Sequence, residues 1–290
     1  MQIPLVGQSN RQRSVNVNAQ RTLNFYLEVS PESETPVALM PRPGLTSFAT
    51  CGSDIRGGEA LNGVGYVVSG DKFYTVASDA TVTERGTLNT SSGRVYLAFN
   101  GTQVMVTDGT SGYTYTLSST TFAEITDSDY DAVDPVTFID TYFVASVPDS
   151  GTMASSAIND GTSWDALDFA TASSSPDNLV RVFSHLNELV VFGDKTIEFW
   201  YNDAGTNFPF SRYIGAELDI GLGAAASVVE MDSGLFFLGE DGIVYRLQSR
   251  QPIRISTHAV EYSLQKQDTS NALAYQIDWD GHKFYCLSGS

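Results

Sequence analysis

The sequence predicts an all-β fold, a β-propeller of about five to six blades with an extended N-terminal arm and at most one short helix. Two observations carry that expectation. Hydrophobic runs break at glycine-and-acid turns and resume as aromatic runs at Gly70-Asp71, Asp108-Gly109, Asp149-Ser150-Gly151, Gly193-Asp194 and Asp241-Gly242. The turns recur every roughly 40 to 50 residues, the length of four short strands with their loops. Composition agrees, because aromatic residues make up 11% of the chain and charged residues only 17%, a balance that suits strands more than surface helices.

Residues 1–50 read as an arm and residues 51–290 as blades. The arm is polar, then carries Pro31, Pro36, Pro41 and Pro43. Proline fixes φ and offers no amide proton, so this segment is expected to be extended or an outer strand. The first blade segment is Gly65–Val76, two strand-like runs hinged on Gly70-Asp71, where glycine can supply a positive φ. The second, Gln103–Leu117, alternates Tyr113 and Tyr115, which predicts one buried and one exposed face. The third, Thr141–Ala154, has Pro148 in its turn. In the fourth, the unbroken apolar run Leu189–Phe192 predicts an inner strand buried on both faces. The fifth, Gly234–Leu247, copies the fourth. A short helix is expected from Ser256 or Thr257 as N-cap through Gln267, with Val260 and Leu264 on its apolar face. A sixth unit, Tyr275–Leu287, is followed closely by Ser290. It predicts an incomplete last blade, either cut short or closed by the arm. At about 1.5 to 3 kcal/mol per large buried side chain, four such residues per strand do not offset the ordering of about forty residues. Each blade has to lean on its neighbours.

Charge narrows the function classes. The chain carries −18 with only four lysines, while residues 1–27 hold Arg11, Arg13 and Arg21 and no acid. The blades are therefore more acidic than the whole. Such a body does not bind phosphate backbones over a broad surface, so no direct nucleic-acid binding is expected. Arg11, Arg13 and Arg21 are the candidate interface residues, suited to ordering against an acidic neighbouring subunit. Two cysteines, Cys51 and Cys286, are too few for a disulfide scaffold. Nothing in residues 1–20 reads as a signal peptide and no run reaches membrane-span length, so a soluble protein without Sec export and without membrane contact is expected.

The chemical motifs are few. Asn159-Asp160-Gly161-Thr162-Ser163-Trp164 resembles a degenerate Asp box, a hairpin whose polar side chain ties down backbone and whose tryptophan fills core. Asn159 stands for the acid, while Gly161 and Trp164 match, and a structural role is expected. A sialidase would need an arginine cluster and a Tyr/Glu nucleophile pair, which no spacing singles out. Asp127, Asp129, Asp131 and Asp134 cluster as calcium ligands do, but the EF-hand pattern then wants glycine at Ala132 and an acid at Phe138. A solvated loop is the expectation. Gly221-Leu222-Gly223-Ala224-Ala225-Ala226 fits a dinucleotide fingerprint by letter, yet a turn and strand follow where a helix is required. His185, His258 and His282 have no ligand spacing. No catalytic residue, metal or cofactor is predicted.

Three stretches resemble the packaged-DNA stabilisation proteins of short-tailed phages, the tail accessory factors that form a tail hub. They are Asn24–Glu28 with Arg42-Pro43-Gly44-Leu45, then Asn159–Leu167, and above all Leu179–Tyr201, an arginine-bearing strand ahead of Glu188–Phe192 and Thr196-Ile197-Glu198-Phe199-Trp200. The resemblance implies a non-enzymatic virion component of the phage tail, assembled in the host cytoplasm as a hexameric ring. It also implies partners: portal-adaptor proteins above, tail needle and tailspike below, with packaged DNA retained until ejection. With an acidic body, retention is expected to be mechanical closure of a channel with an acidic lumen. The alternative is a carbohydrate-binding propeller lectin, with Tyr113, Tyr115 and Tyr201 stacking on sugars.

Overall fold

The structure is a computed structural model and describes residues 10–11, 19–20, 22–29, 37–131, 133–172 and 175–289. In the arm, β1 (Asn10–Arg11) pairs with β2 (Ala19–Gln20), and β3 (Phe25–Val29) pairs with β4 (Val37–Pro41). Five four-stranded antiparallel meanders follow. Blade one is β5 (Ile55–Leu61), β6 (Val64–Ser69), β7 (Lys72–Val76) and β8 (Val82–Thr87); blade two is β9 (Tyr96–Phe99), β10 (Gln103–Thr107), β11 (Gly112–Thr116) and β12 (Thr121–Glu124). Blade three is β13 (Val136–Ile139), β14 (Tyr142–Ser146), β15 (Thr152–Ala157) and β16 (Asp160–Thr171); blade four is β17 (Leu179–His185), β18 (Glu188–Gly193), β19 (Ile197–Asn202) and β20 (Phe210–Arg212). Blade five is β21 (Val229–Met231), β22 (Gly234–Leu238), β23 (Val244–Gln248) and β24 (Gln251–Arg254). After α1 (His258–Leu264) comes a two-stranded sixth sheet, β25 (Leu273–Trp279) with β26 (His282–Ser288). The fold is an all-β propeller, as the repeat spacing predicts.

The glycine-and-acid turns all join the second strand of a blade to the third. In every unit but blade two, a second regular turn joins first to second strand. Asn62 and Gly63, Asp140 and Thr141, Leu186 and Asn187, Asp232 and Ser233, and Asp280 and Gly281 have positive φ at both positions, the geometry of two-residue hairpins whose twist matches the strands.

Alternation along the second strands explains the core. In β10, Val104 and Val106 pack with Val68 and Phe73 of blade one, while Met105 turns to Val136 and Phe143 of blade three. In β18, Leu189 and Val191 join Val144 and Met153 of blade three, while Val190 and Phe192 join Leu235 and Phe237 of blade five. Leu238 and Val244 then meet Ala272, Tyr285 and Leu287 around the sixth sheet. Successive side chains point to opposite faces, so a strand between two blades must be apolar throughout.

Three expectations need correction on this geometry. The Leu189–Phe192 run lies on β18, the second strand, whereas the first strand of its blade is β17, which carries Arg181 and Ser184. First strands line the axis and tolerate polar residues; second strands are sealed between blades. Tyr113 and Tyr115 do not mark a half-exposed strand, because both are buried and Thr114 between them is buried too. The helix has its N-cap at Thr257, whose Oγ1 accepts from Val260 N, but Val260 is exposed while Ala259 and Glu261 are buried. Glu261 is held there by Arg254 Nε at 2.7 Å and Ser256 Oγ at 2.8 Å, while Leu264 packs on the Leu238–Val244–Ala272 cluster as expected, so an ion pair and one apolar contact dock the helix.

Candidate assembly surfaces and axial cavity

Of the predicted interface residues, Arg13 and Arg21 lie outside the described residues, and Arg11 is described only as backbone of β1. The described part of the arm has its own anchor. Tyr26 of β3 sets its ring 5.2 Å from those of His282 and Phe284 on β26. Arg42 closes the hairpin through Asn24, donating N to O at 3.0 Å and Nε to Oδ1 at 2.9 Å. Strand alternation then turns Phe25 and Val29 to the face opposite Tyr26, with Val37 across from Val29. Phe25, Val29 and Val37 are exposed, as are Leu23, Leu45 and Phe48 beside them in the chain. Apolar side chains grouped in this way are the usual character of a docking surface.

The Asp-box-like hairpin lies between β15 and β16. Asn159 takes a positive φ of 55°, and its backbone N donates to Thr141 O at 2.7 Å. The polar tie comes one residue later than the sequence pattern suggests: Asp160 Oδ1 accepts from Thr162 N at 3.0 Å and Thr162 Oγ1 at 2.7 Å. Gly161 N donates to Gln103 Oε1 of blade two at 3.0 Å, and a Cβ on Gly161 would come within 3.1 Å of Phe143. Trp164 is buried, donating Nε1 to Gly161 O at 2.9 Å and meeting Tyr130 edge-on. The hairpin joins blade two to blade three.

The Asp127–Asp134 segment divides the same way. Asp127 accepts backbone amides of Asp129 and Trp164, and those bonds hold its carboxyl below the usual range. Asp134 points inward to Thr107 Oγ1 at 2.7 Å, and burial pushes its pKa up to about 7. No three His, Cys, Asp or Glu side chains converge as a metal set among the described residues. The Gly221–Ala226 segment runs into a single 3-10 turn, Ala225–Ser227, and then β21. Its glycines serve close approach, since a Cβ on Gly221 would lie 2.0 Å from Asp194 O. Tyr113 and Tyr115 are buried and offer no sugar platform; Tyr201 is exposed and pairs with Tyr213 at 4.5 Å.

First strands from both sides of the ring enclose an axial cavity of about 490 Å³, lined among others by Glu59, Arg94, Tyr96, Arg181, Glu230 and Tyr275. Its charges are mixed, two acids and two arginines. Arg181 projects from β17 between the rings of Tyr96, 5.3 Å away, and Phe183, 5.0 Å away. Its Nη1 donates to Ala225 O at 2.6 Å, while Nε is sealed from solvent without a partner. Burial pulls the Arg181 pKa down against the opposing pull of Tyr96, Glu59 and Asp134. Burial likewise raises Glu59 and lifts Tyr96 to about 12. Sequence reading noted an arginine-bearing strand at Leu179 but gave Arg181 no role; the available signal was a single cation inside the apolar run Leu179-Val180-Arg181-Val182-Phe183.

Comparison with known proteins places these features. The family described as phage stabilisation, bacteriophage P22 Gp10, beta-propeller, matches residues 1–288. No curated protein matches the chain by sequence. Among solved structures, the extracellular domain of BT4673 from B. thetaiotaomicron is similar at TM-score 0.53 and 11% identity, over 83% of this chain and 33% of that one. YCF48 bound to D1 peptide is similar at TM-score 0.49 and 13% identity, over 74% of this chain and 70% of that one. PorZ of Porphyromonas gingivalis is similar at TM-score 0.45 and 11% identity, over 80% of this chain and 33% of that one. The chain thus spans about a third of two of these structures, and at such identities the likeness concerns fold alone.

Proposed function

The chain belongs to the phage stabilisation family of β-propellers, and from that premise we propose that it forms the tail hub of the virion as a hexameric ring. It is a structural phage protein of the class that stabilises packaged DNA. In the proposed role it closes the portal channel and joins the portal-adaptor proteins to the tail needle and tailspike. It is not an enzyme on this reading, and it takes its place in the tail after assembly in the host cytoplasm.

The observation that carries the assembly role is the apolar outer face of the β3–β4 hairpin, with Phe25, Val29 and Val37 exposed on an element anchored to the sixth sheet through Tyr26. A ring built by rotation needs two complementary patches on each copy, and an arm carrying apolar side chains outward is suited to one of them. The acidic body supports closure over phosphate binding: −18 overall with four lysines leaves little to displace counterions. The propeller's own axis is a small cavity crossed by side chains, of the size that holds a small molecule. A DNA channel would therefore run between copies.

Negative-stain microscopy with analytical ultracentrifugation of the purified chain tests the ring. Closed sixfold particles are expected, and a monomer at every accessible concentration would sink the proposal. Deleting residues 1–22 tests Arg11, Arg13 and Arg21: assembly should weaken, and unchanged assembly removes them as interface residues. Tight duplex DNA binding that collapses with rising salt would contradict the closure mechanism.

A further inference from the structure

We infer that the axial cavity is a binding site for a small oxyanion, a carboxylate or a phosphate, recognised by Arg181. The inference is independent of the tail-hub role. A buried guanidinium normally has a carboxylate beside it, because an uncompensated buried charge is costly. Arg181 has none within ion-pair distance among the described residues, although six other lysines and arginines, including Arg212, Arg250 and Arg254, do pair. What it has is a fixed pose. The Tyr96 and Phe183 rings flank it, Ala225 O takes Nη1, and Nε is left unpartnered. A held guanidinium with N–H groups to spare is the preorganised half of an oxyanion clamp.

The other charges on the cavity wall are Glu59, Glu230 and Arg94. Glu230 Oε1 lies 3.2 Å from His185 Nδ1, an ion pair only when that histidine is protonated. Glu59 lines the same cavity, open to solvent on one side and within Coulomb reach of Arg181. Arg94 reaches Asn271 O at 3.3 Å and adds a second cation to the same wall. Arg181 is the one of these charges held rigidly, by two rings and a carbonyl, with no ion-pair partner within 4.0 Å among the described residues. Tyr275 supplies a hydroxyl on the sixth-sheet side. A purely structural Arg181, serving only to tie β17 to the Ala225–Ser227 turn, would account for the Nη1 bond but not for a guanidinium left on a cavity wall without a carboxylate in ion-pair reach.

The test is thermal unfolding of the full chain against increasing inorganic phosphate, and separately acetate, with chloride holding ionic strength constant. A ligand that binds only the folded state raises Tm with its concentration over its dissociation constant. A phosphate- or acetate-dependent rise tied to one site is expected in the wild type and should be lost in Arg181→Met. The anion with the lower half-effect concentration identifies the preferred oxyanion. Absence of a response to both anions, or an equal rise in wild type and Arg181→Met as general salt exclusion would give, overturns the inference. Should Arg181→Met not fold, Glu59→Gln serves. Removing one like charge from the wall should lower the half-effect concentration roughly twofold, and an unchanged value overturns the inference equally.

Discussion

Replacing Gly221 by alanine tests the claim that blades four and five are held by backbone contact as well as by core. The segment Gly221–Gly223 threads between the two blades: Leu222 N donates to Gly193 O at 2.9 Å, Glu240 N to Gly221 O at 3.0 Å, and Gly223 N to Leu238 O at 2.8 Å. An alanine Cβ at 221 would lie 2.0 Å from Asp194 O, 2.3 Å from its carbonyl carbon and 2.7 Å from Lys195 N. Backbone atoms cannot swing aside, so the strap has to move by about 1.5 Å to regain an ordinary contact near ~3.5 Å. Overpacking of this kind costs about 1–3 kcal/mol, and two displaced hydrogen bonds add about 1 kcal/mol each. The expected loss is about 3–5 kcal/mol, or roughly 6–10 °C in Tm at about 2 °C per kcal/mol for a chain this long. Differential scanning calorimetry of Gly221→Ala beside Gly44→Ala, which meets nothing within 4 Å, gives the measurement. A Gly221→Ala Tm within about 2 °C of wild type refutes the strap.

The remaining predictions concern polar ties and the arm. Asp160→Ala should cost about 1–2 kcal/mol in chemical denaturation, because Thr162 N and Oγ1 lose their acceptor. Asn159→Gly should be close to neutral, since glycine accepts the positive φ there; the reverse order would return the Asp-box role to Asn159. Asp134 has its folded pKa raised to about 7 by burial, so the folded state holds a proton that the unfolded state releases near pH 4. Stability is therefore lost as pH rises from about 4 to 7, by up to about 1.4 kcal/mol per pH unit, and Asp134→Asn should remove that slope. A slope unchanged in the variant rules Asp134 out as its source. Glu261 is the opposite case, its folded pKa lowered by hydrogen bonds from Arg254. Its contribution is full above the unfolded value and lost as pH falls through the folded one. Glu261→Gln should thus cost about 1–3 kcal/mol at pH 7, and the deficit should shrink below about pH 4. Tyr26→Ala should speed hydrogen exchange on β26 and leave β18 unchanged; uniform exchange would mean that the arm does not anchor at the sixth sheet.

The fold was legible because the second strands and their turns repeat openly. Leu189–Phe192 and Leu235–Leu238 are near copies, and each sits ahead of a glycine-and-acid turn. The first-to-second turns are just as periodic and were missed, since Leu186-Asn187 and Asp232-Ser233 take positive φ without any glycine. Their conformation is imposed by strand pairing, not announced by composition. The same cause misled the reading of Tyr113 and Tyr115. Alternation implies two different faces only when one face meets water, and in a propeller both faces meet other blades. Glu261 escaped for another reason: its burial depends on Arg254, seven residues upstream and on a strand, a pairing no helical period contains.

Closure of the ring follows from where apolar contact ends. Five successive junctions, from blade one through the sixth sheet, are filled by apolar clusters. At the remaining seam the register puts Tyr275, Ile277 and Trp279 of β25 on one face with Cys286, Phe284 and His282 of β26, and Tyr275 and Trp279 stay exposed. Across from them β5 offers exposed Gly58, Glu59 and Ala60. The described link there is polar, Arg94 Nη2 to Asn271 O. Apolar burial supplies most of the cohesion between blades, and among the described residues this seam has the least of it. The β3–β4 hairpin lays Tyr26 on that same aromatic face, beside His282 and Phe284. A partner seated on the hairpin's outer side would therefore lie over the junction with the least apolar contact among the described residues.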